Sequence, residues 1–272
     1  MINVFEPQSD LLKLFVDSIY VLKKDKGTLD LTAYPSVNTP VGLLRNAKVS
    51  TENQTVFIEN ATVQNYVAMV CGKFQGSMHV RYTQVVDEIA INFKPLGFVS
   101  FTQFKPQNDL LYYFDNWNEM LPALFESVFA TADSQQQLEY IEHFLLTQYR
   151  PVNEESVLLK AIQLLSDTSK DYKIEEIANL VGVHYKQLYR AFTELIGCSP
   201  AHYRKLTKFR TSVVSKIQKG DNARLTDICY EQDYTDQPYF SRQFKELTGE
   251  KPTRFFKDIT SFGNDKLIFK ID

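Results

Sequence analysis

Two short segments of this sequence carry side chains that could contact the edges of DNA bases. These side chains are Lys186, Tyr189 and Arg190 in the first segment and Gln237, Tyr239, Arg242 and Gln243 in the second. In a major groove, arginine can donate two hydrogen bonds to guanine, glutamine can pair with adenine, and an aromatic ring can contact a thymine methyl group. The two segments therefore predict base recognition, provided that each lies on an exposed helix face.

Few residues of the chain could support catalysis or bind a metal. The cysteines Cys71, Cys198 and Cys229 are odd in number and lack the spacing of metal ligands, so reduced, buried thiols are expected. His79 is the only histidine before His143, whereas a metal-binding barrel needs several histidines on neighbouring strands. Because no nearby histidine could activate Cys71 as a nucleophile, we expect no enzyme activity, no metal and no cofactor.

Charge is divided unevenly along the chain. The net charge is −3, yet residues 166–258 contain sixteen Lys and Arg against thirteen Asp and Glu. No acidic residue occurs from Gly197 to Gly220, and the basic residues of that stretch are Arg204, Lys205, Lys208, Arg210, Lys216 and Lys219. This distribution favours a surface that contacts phosphates, with an ordinary solvated helix face as the alternative.

Residues 19–104 favour β-strands. Four segments are short, rich in β-branched or aromatic residues and bounded by turn residues: Thr55–Ile58, Tyr66–Val70, Met78–Tyr82 and Ile89–Phe93. They predict a small antiparallel sheet or barrel. Apolar residues at helical spacing then predict two helices within residues 118–147, which either cover this sheet or pair across a dimer.

Helical periodicity dominates after a break at Arg150–Asn153, where a proline interrupts the pattern. Helices are expected at Leu158–Leu165, Ile174–Leu180, Gln187–Leu195 and Pro200–Lys219, followed by three more, and only Leu267–Phe269 resembles a strand. The sequence thus predicts an α+β chain. Residues 1–150 form a small antiparallel β-barrel or sheet domain with helices at its C-terminal end. Residues 154–260 form an all-α domain with two helix-turn-helix units joined by a long linker helix, and residues 261–272 form a tail.

An internal repeat relates the two helix-turn-helix units. Ala178 recurs as Cys229 at an offset of 51 residues, whereas Phe192 recurs as Phe244 at an offset of 52, so one extra residue has entered the second turn. The small residues at 178 and 229 allow close helix approach, and Gly182 supplies the positive φ of the first turn.

The second copy has Asp233 at the position of Gly182. Aspartate adopts a left-handed backbone conformation more readily than most non-glycine residues, so we expect a strained but feasible turn. Asp236 is expected to cap the second recognition helix well, whereas His184 is a poorer cap for the first. The pairs Leu188 with Phe192 and Phe240 with Phe244 predict the buried face of each recognition helix.

The stretch Thr235–Pro252 (TDQPYFSRQFKELTGEKP) and the repeat around it resemble the DNA-binding domain of the AraC/XylS family of bacterial transcription regulators. The resemblance implies that bases are contacted by Lys186, Tyr189 and Arg190 in the first unit and by Gln237, Pro238, Tyr239 and Arg242 in the second. Phosphate contacts are expected from His184, Gln187, Lys205, Lys208, Thr235, Gln243 and Lys245.

These patterns predict a sequence-specific transcription regulator, either an activator or a repressor. Its expected partners are double-stranded DNA, RNA polymerase and an unidentified small molecule or protein acting on the N-terminal domain. An N-terminal domain that only forms a homodimer, with no small molecule, is the alternative. No apolar stretch approaches the length of about 18 residues that spans a membrane, and residues 1–10 lack a signal-peptide pattern, so a cytoplasmic protein is expected.

Overall fold

Among the described residues, ten strands of the N-terminal region and two strands from the C-terminal end form two six-stranded sheets. In the computed structural model, the described residues are 2–24, 27–72, 76–83, 86–107, 109–167, 170, 172–220, 223–232, 234–262 and 267–271. The first sheet contains, in spatial order, β1 (Ile2–Phe5), β2 (Val16–Lys24), β9 (Val86–Phe93), β4 (Thr39–Arg45), β7 (Tyr66–Cys71) and β10 (Leu111–Tyr113). The second contains β11 (Thr260–Phe262), β12 (Leu267–Ile271), β3 (Leu29–Ala33), β8 (Met78–Tyr82), β6 (Thr55–Asn60) and β5 (Ala47–Glu52).

Each of the four predicted strand segments lies within an observed strand. The pairing is antiparallel as predicted, except that β6 and β8 run parallel. This exception arises because the chain leaves β6, forms β7 in the first sheet, and only then returns to the second sheet as β8. Because β7 reverses the chain direction between them, β8 runs in the same direction as β6.

Four helices accompany the sheets: α1 (Asp10–Phe15), α2 (Gly97–Thr102), α3 (Leu121–Ala130) and α4 (Ser134–Gln148). The predicted pair is α3 and α4. Asp133 caps α4 by accepting a hydrogen bond from the Gln135 backbone N–H at 2.8 Å. Phe125 of α3 is fully buried, and its ring lies 5.4 Å from that of Tyr66 in β7. Helix α3 therefore packs on the first sheet, and α4 packs against α3, α1 and α2. Pairing of these helices across a dimer stays a prediction.

The C-terminal region is helical up to residue 258, as predicted. Its helices are α5 (Glu155–Ser166), α6 (Ile174–Leu180), α7 (Tyr185–Ala191), α8 (Pro200–Lys219), α9 (Leu225–Glu231), α10 (Gln237–Thr248) and α11 (Pro252–Asp258). Ser199 caps α8 by accepting a hydrogen bond from the His202 backbone N–H, and Gly220 ends it with a φ of +73°. Twenty residues at 1.5 Å each make α8 about 30 Å long.

The hydrophobic core continues across the predicted domain boundary. One cluster of buried side chains joins Phe15 and Phe101 of the N-terminal region to Leu158 of α5, Phe192 directly after α7, and Tyr203 of α8. Close contacts hold the segment between them, where the Arg150 backbone N–H donates to the Ser100 carbonyl at 2.7 Å. The limits 1–150 and 154–260 stay a prediction, but the two regions share this core.

Helix α11 and the strands that follow it contact the N-terminal region at two other places. Tyr34, which follows β3, packs its ring 4.7 Å from that of Phe255 in α11. The last strand, β12, pairs antiparallel with β3, so that Phe269 lies opposite Ala33. The predicted strand at Leu267–Phe269 is thus confirmed, and it belongs to the second sheet.

Candidate functional site

The repeat seen in the sequence recurs as a repeat of backbone hydrogen bonds. In the first turn, the Val183 N–H donates to the Ala178 carbonyl at 3.0 Å, and in the second the Tyr234 N–H donates to the Cys229 carbonyl at 3.1 Å. Both partners of this bond are related by the offset of 51. The two helix-turn-helix units therefore share the hydrogen bond that closes the turn onto the first helix.

The offset becomes 52 where the recognition helices begin. The Leu188 N–H donates to the His184 carbonyl in the first unit, and the Phe240 N–H donates to the Asp236 carbonyl in the second, at 3.1 and 3.0 Å. The extra residue therefore lies between Tyr234 and Asp236. Its insertion explains why the sequence offset shifts within the second turn.

Local residue chemistry shapes both units. Gly182 has a φ of +77°, as predicted for the first turn, while Asp233 lies outside the described residues. Asp236 caps α10 by accepting from the Tyr239 backbone N–H at 2.6 Å, and His184 Nδ1 caps α7 by accepting from the Lys186 backbone N–H at 3.2 Å. The longer bond agrees with the prediction of a poorer cap.

The predicted inner faces of the recognition helices are buried: Leu188, Phe192, Phe240 and Phe244 are each at most 2% exposed. The two helices end differently. The first continues from α7 into a π-helical turn, Phe192–Ile196, whereas α10 is α-helical up to Thr248. Both end on a glycine with a φ near +80°, Gly197 and Gly249.

The first recognition helix presents Lys186, Tyr189 and Arg190 to solvent. Arg190 Nε lies 3.6 Å from a carboxylate oxygen of Glu194. A hydrogen bond and the charge of Lys105 in the N-terminal region, 3.0 Å away, lower the pKa of the Glu194 carboxyl. One exposed aromatic residue was missed by the sequence analysis, Tyr185, whose ring lies 6.2 Å from that of Tyr189. Its spacing of four residues from Tyr189 was the available signal.

The second recognition helix exposes Gln237, Pro238, Tyr239 and Arg242. The Arg242 guanidinium carbon lies 5.3 Å from the centre of the Tyr239 ring, a distance suited to a cation–π contact. A surface groove is lined by Gln237 and, one helical turn later, by Ser241. Ser241 was not among the contacts predicted from the sequence. A small hydroxyl on a helix gives no signal of its own in the sequence.

The residues expected to contact phosphate differ in their surroundings. Thr235 and Lys245 are exposed, and Gln243 is half-buried. The side-chain amide of Gln187 donates to Glu154 at 3.0 Å, and Lys205 Nζ lies 2.7 Å from a carboxylate oxygen of Glu246.

Lys208 and Arg210 of α8 differ in position, although both were placed on one basic stretch. Lys208 Nζ lies 5.9 Å from the centre of the Tyr234 ring. Arg210, by contrast, lines a cavity next to the two sheets. The two side chains differ because residues two apart on a helix point in directions about 160° from each other. The stretch is therefore not one continuous surface.

The segment that contains both turns is similar to a known family of domains. Residues 177–258 match the family model described as a helix-turn-helix domain. These residues therefore form a helix-turn-helix domain. The matched segment of this domain begins in α6 and ends with α11, and so contains both turns and both recognition helices.

A curated relative supports the same assignment of the helix-turn-helix domain. The chain is 26% identical over 99 residues to an uncharacterized HTH-type transcriptional regulator of Haemophilus influenzae. The match covers 36% of this chain and spans about a third, 33%, of the relative's length.

Among solved structures, the chain matches ToxT from Vibrio cholerae at low sequence identity. One structure gives a TM-score of 0.47 at 13% identity, covering 88% of this chain and 97% of ToxT. Another, of ToxT bound to an unsaturated fatty acid, gives 0.41 at 14% identity, covering 87% and 92%.

A cavity lies between the two sheets and α8, apart from the recognition helices. Its volume is about 100 Å³, and it is partly open to solvent. Apolar side chains such as Met69, Met78 and Val80 line it, together with Glu88 of β9 and Arg210 of α8. Within the described residues, no three His, Cys, Asp or Glu side chains are grouped as a metal site requires.

Glu88 is 1% exposed and is held by two phenols. Tyr82 donates to one carboxylate oxygen at 2.7 Å, and Tyr20 donates to the other at 3.3 Å. Burial raises the pKa of the Glu88 carboxyl from its ordinary value of 4.5 to about 7, although these hydrogen bonds lower it. Gly42 lies next to the Glu88 side chain, and a larger residue would not fit there. A Cβ at this position would lie 3.1 Å from the Glu88 carboxylate and 2.8 Å from Met69 Cε.

The raised pKa of Glu88 predicts a pH dependence of stability. The folded chain holds this proton up to about pH 7, whereas the unfolded chain loses it near 4.5. The contribution of Glu88 is thus fully present below about pH 4.5 and is lost as the pH rises through about 7. Glu88→Gln, which stays neutral, should therefore gain stability relative to the wild type between these values in urea unfolding. Glu52→Gln, at an exposed strand position, should retain the wild-type decline, and an identical decline in Glu88→Gln would contradict the assignment.

Every helix in the described part of the chain is too short or too polar to span a bilayer.

Proposed function

We propose that the chain is a sequence-specific DNA-binding transcription regulator whose DNA affinity is controlled by a small molecule in the cavity. The observation that carries this proposal is the duplication of one turn hydrogen bond, together with two exposed recognition helices, α7 and α10. Exposed arginine side chains, Arg190 and Arg242, lie on these helices and suit hydrogen bonding to guanine.

The linker helix supports simultaneous binding of both units. Helix α8 is about 30 Å long, close to the roughly 34 Å between successive major grooves on one face of a duplex. Because a continuous helix joins the two units, they would approach DNA with a fixed spacing. Lys208 on this helix would meet phosphates between the two grooves.

The cavity is connected to the helix-turn-helix domain by two of its lining residues. Arg210 belongs to α8 itself. Tyr34 lines the cavity and also packs against Phe255 in the core of the second unit. A molecule that fills the cavity would therefore contact groups that fix the position of the second recognition helix, which gives it differential contacts in the two states of a switch.

The remaining predictions concern partners and location. RNA polymerase as a partner, a homodimer, and a cytoplasmic location stay predictions, as does the choice between activation and repression. We propose no catalytic step.

The full-length protein tests the proposal through selection of binding sites from a random duplex library, followed by sequencing. We expect enrichment of an asymmetric motif with two separated parts, since the two recognition helices carry different side chains. Affinity for the selected duplex should exceed that for a scrambled duplex by roughly a thousandfold or more. It should also fall steeply between about 50 and 200 mM salt as condensed cations are displaced.

Two outcomes separate the parts of the proposal. Equal affinity for selected and scrambled duplexes would contradict sequence-specific binding. If binding is specific but protein-free cell extracts from several growth conditions never change it, control by a small molecule is wrong, and the N-terminal region serves only as a dimerisation or structural unit.

A further inference from the structure

The wall of the cavity between the sheets contains a buried carboxylate. Most of the wall is apolar, with Met69, Met78 and Val80 among its residues. This carboxylate, Glu88 of β9, forms a polar group with Tyr20 of β2 and Tyr82 of β8. The other polar lining residues include Asn38, Asn92 and Arg210. A carboxylate at the wall of a largely apolar cavity is a specific feature, since polar groups in such pockets orient ligands.

The partners of Glu88 are neutral. Both phenols donate hydrogen bonds to it, and burial, followed by the charge of Glu88, raises the pKa of each phenol well above its ordinary value. Burial likewise raises the pKa of the nearby Cys71 thiol to about 12. Among the residues that the structure describes, none places a cation against Glu88.

The cation in the cavity wall, Arg210, has a carboxylate of its own. Burial lowers the pKa of the Arg210 guanidinium to about 10, and the charge of Asp17 opposes this shift. Arg210 is thus electrostatically matched to Asp17, and the negative charge without a matching positive charge belongs to Glu88. An unmatched buried charge is costly, and a bound cation would remove that cost.

We propose that the cavity binds an organic amine, whose protonated nitrogen is held by the Glu88 carboxylate beside Tyr20 and Tyr82 and whose apolar body lies against Met69, Met78 and Val80. This inference rests on the proposed function, because it names the class of molecule that would fill the effector cavity. It makes Glu88 the residue that selects this class over neutral and anionic molecules of the same shape.

Amine binding should depend on pH. The titratable groups around Glu88 are Tyr20 from β2, Cys71 from β7, Tyr82 from β8 and, in the same cavity, Arg210 from α8. The cavity-lining residues of β4, Pro40–Gly42, carry no titratable group. The tyrosine and cysteine side chains stay protonated and Arg210 stays charged near neutral pH, so Glu88 is the group that titrates there. Amine affinity should rise as the pH increases through about 7, because the ionised carboxylate binds a cation more strongly.

The experiment compares three probes of one shape, 1-hexylamine, 1-hexanol and hexanoate, by titration calorimetry on the full-length protein at about pH 8. We expect hexylamine to bind tightest. In Glu88→Gln its dissociation constant should rise by about tenfold to a hundredfold, the size of a hydrogen bond to a charged group. Exposed Glu52→Gln is the matched control and should bind hexylamine like the wild type. Circular dichroism and cooperative urea unfolding establish that Glu88→Gln is folded.

A second measurement needs no variant: the hexylamine affinity of the wild type is followed from about pH 5.5 to about pH 8, where it should increase. Three results would overturn the inference. Hexanoate binding tightest, with loss in Arg210→Gln, would mean that the cavity selects anions, and it would leave control by a small molecule intact. Equal binding of hexanol and hexylamine would mean that Glu88 does not select the ligand. Absence of binding by all three probes to protein that binds its selected duplex would exclude the amine class while leaving DNA recognition standing.

Discussion

Replacing Arg242 with alanine is expected to weaken binding to the selected duplex by roughly fivefold to 150-fold, the equivalent of about 1–3 kcal/mol for a bidentate contact between arginine and guanine. Arg242 is exposed on α10 and lies over the Tyr239 ring, so its guanidinium is oriented before DNA arrives. The loss should be confined to duplexes that carry the preferred base pair at one position. Binding assays against single-base variants of the selected duplex would measure it.

Two further variants decide what kind of contact Arg242 makes. Arg242→Lys keeps the charge but loses the paired donors, so it should still relax the preference at that position. Arg81→Ala removes an arginine that is paired with Asp30 on the second sheet and should leave DNA affinity unchanged. A uniform loss across all sequences, together with a salt dependence reduced by about one ion, would instead assign Arg242 to phosphate.

Phe244→Ala is expected to lower the free energy of unfolding by about 3–5 kcal/mol, the usual cost of removing a buried phenylalanine ring. Phe244 is 2% exposed, and its ring centre lies 5.0 Å from that of Phe209 in α8 and 4.9 Å from that of Phe255 in α11. The side chain therefore joins three helices of the second unit. Urea unfolding of the full-length protein would measure the loss.

The matched control for Phe244→Ala is Tyr230→Ala, which removes an aromatic ring that is 68% exposed. That change should alter stability by no more than about 0.5 kcal/mol. If Phe244→Ala were equally mild, the second unit would not depend on this aromatic core. Affinity for the selected duplex should fall in Phe244→Ala, because α10 loses its packing against α8.

Local features of the helix-turn-helix domain were predictable from the sequence because neighbouring residues determine them. The shift of offset between the two copies, the cap at Asp236 and the positive φ of Gly182 each depend on residues within one turn of the chain. The burial of Phe240 and Phe244 follows from their spacing of four residues. These short-range patterns also made the family resemblance visible.

Long-range placement could not be inferred in the same way. Glu88 follows Asp87 in the sequence, and nothing in that pair indicates which carboxylate is buried; the structure pairs Asp87 with Arg45 at 2.6 Å and turns Glu88 inward. Arg210 lies among basic residues that suggest a phosphate surface, yet the far side of α8 packs on the cavity. The contact of Gln187 with Glu154 likewise joins residues that are 33 positions apart.

The pairing of β12 with β3 has a consequence for the solubility of the protein. Within the described residues, β3 has β8 on one side and β12 on the other, and the sheet ends on β11, a strand of three residues. Short terminal strands limit the unpaired backbone groups through which sheets of different molecules join, whereas an uncovered strand such as β3 would offer five residues of them. The C-terminal residues thus protect this sheet against aggregation. In a chain shortened after α11, β3 would become an unpaired edge strand at which other molecules could join the sheet.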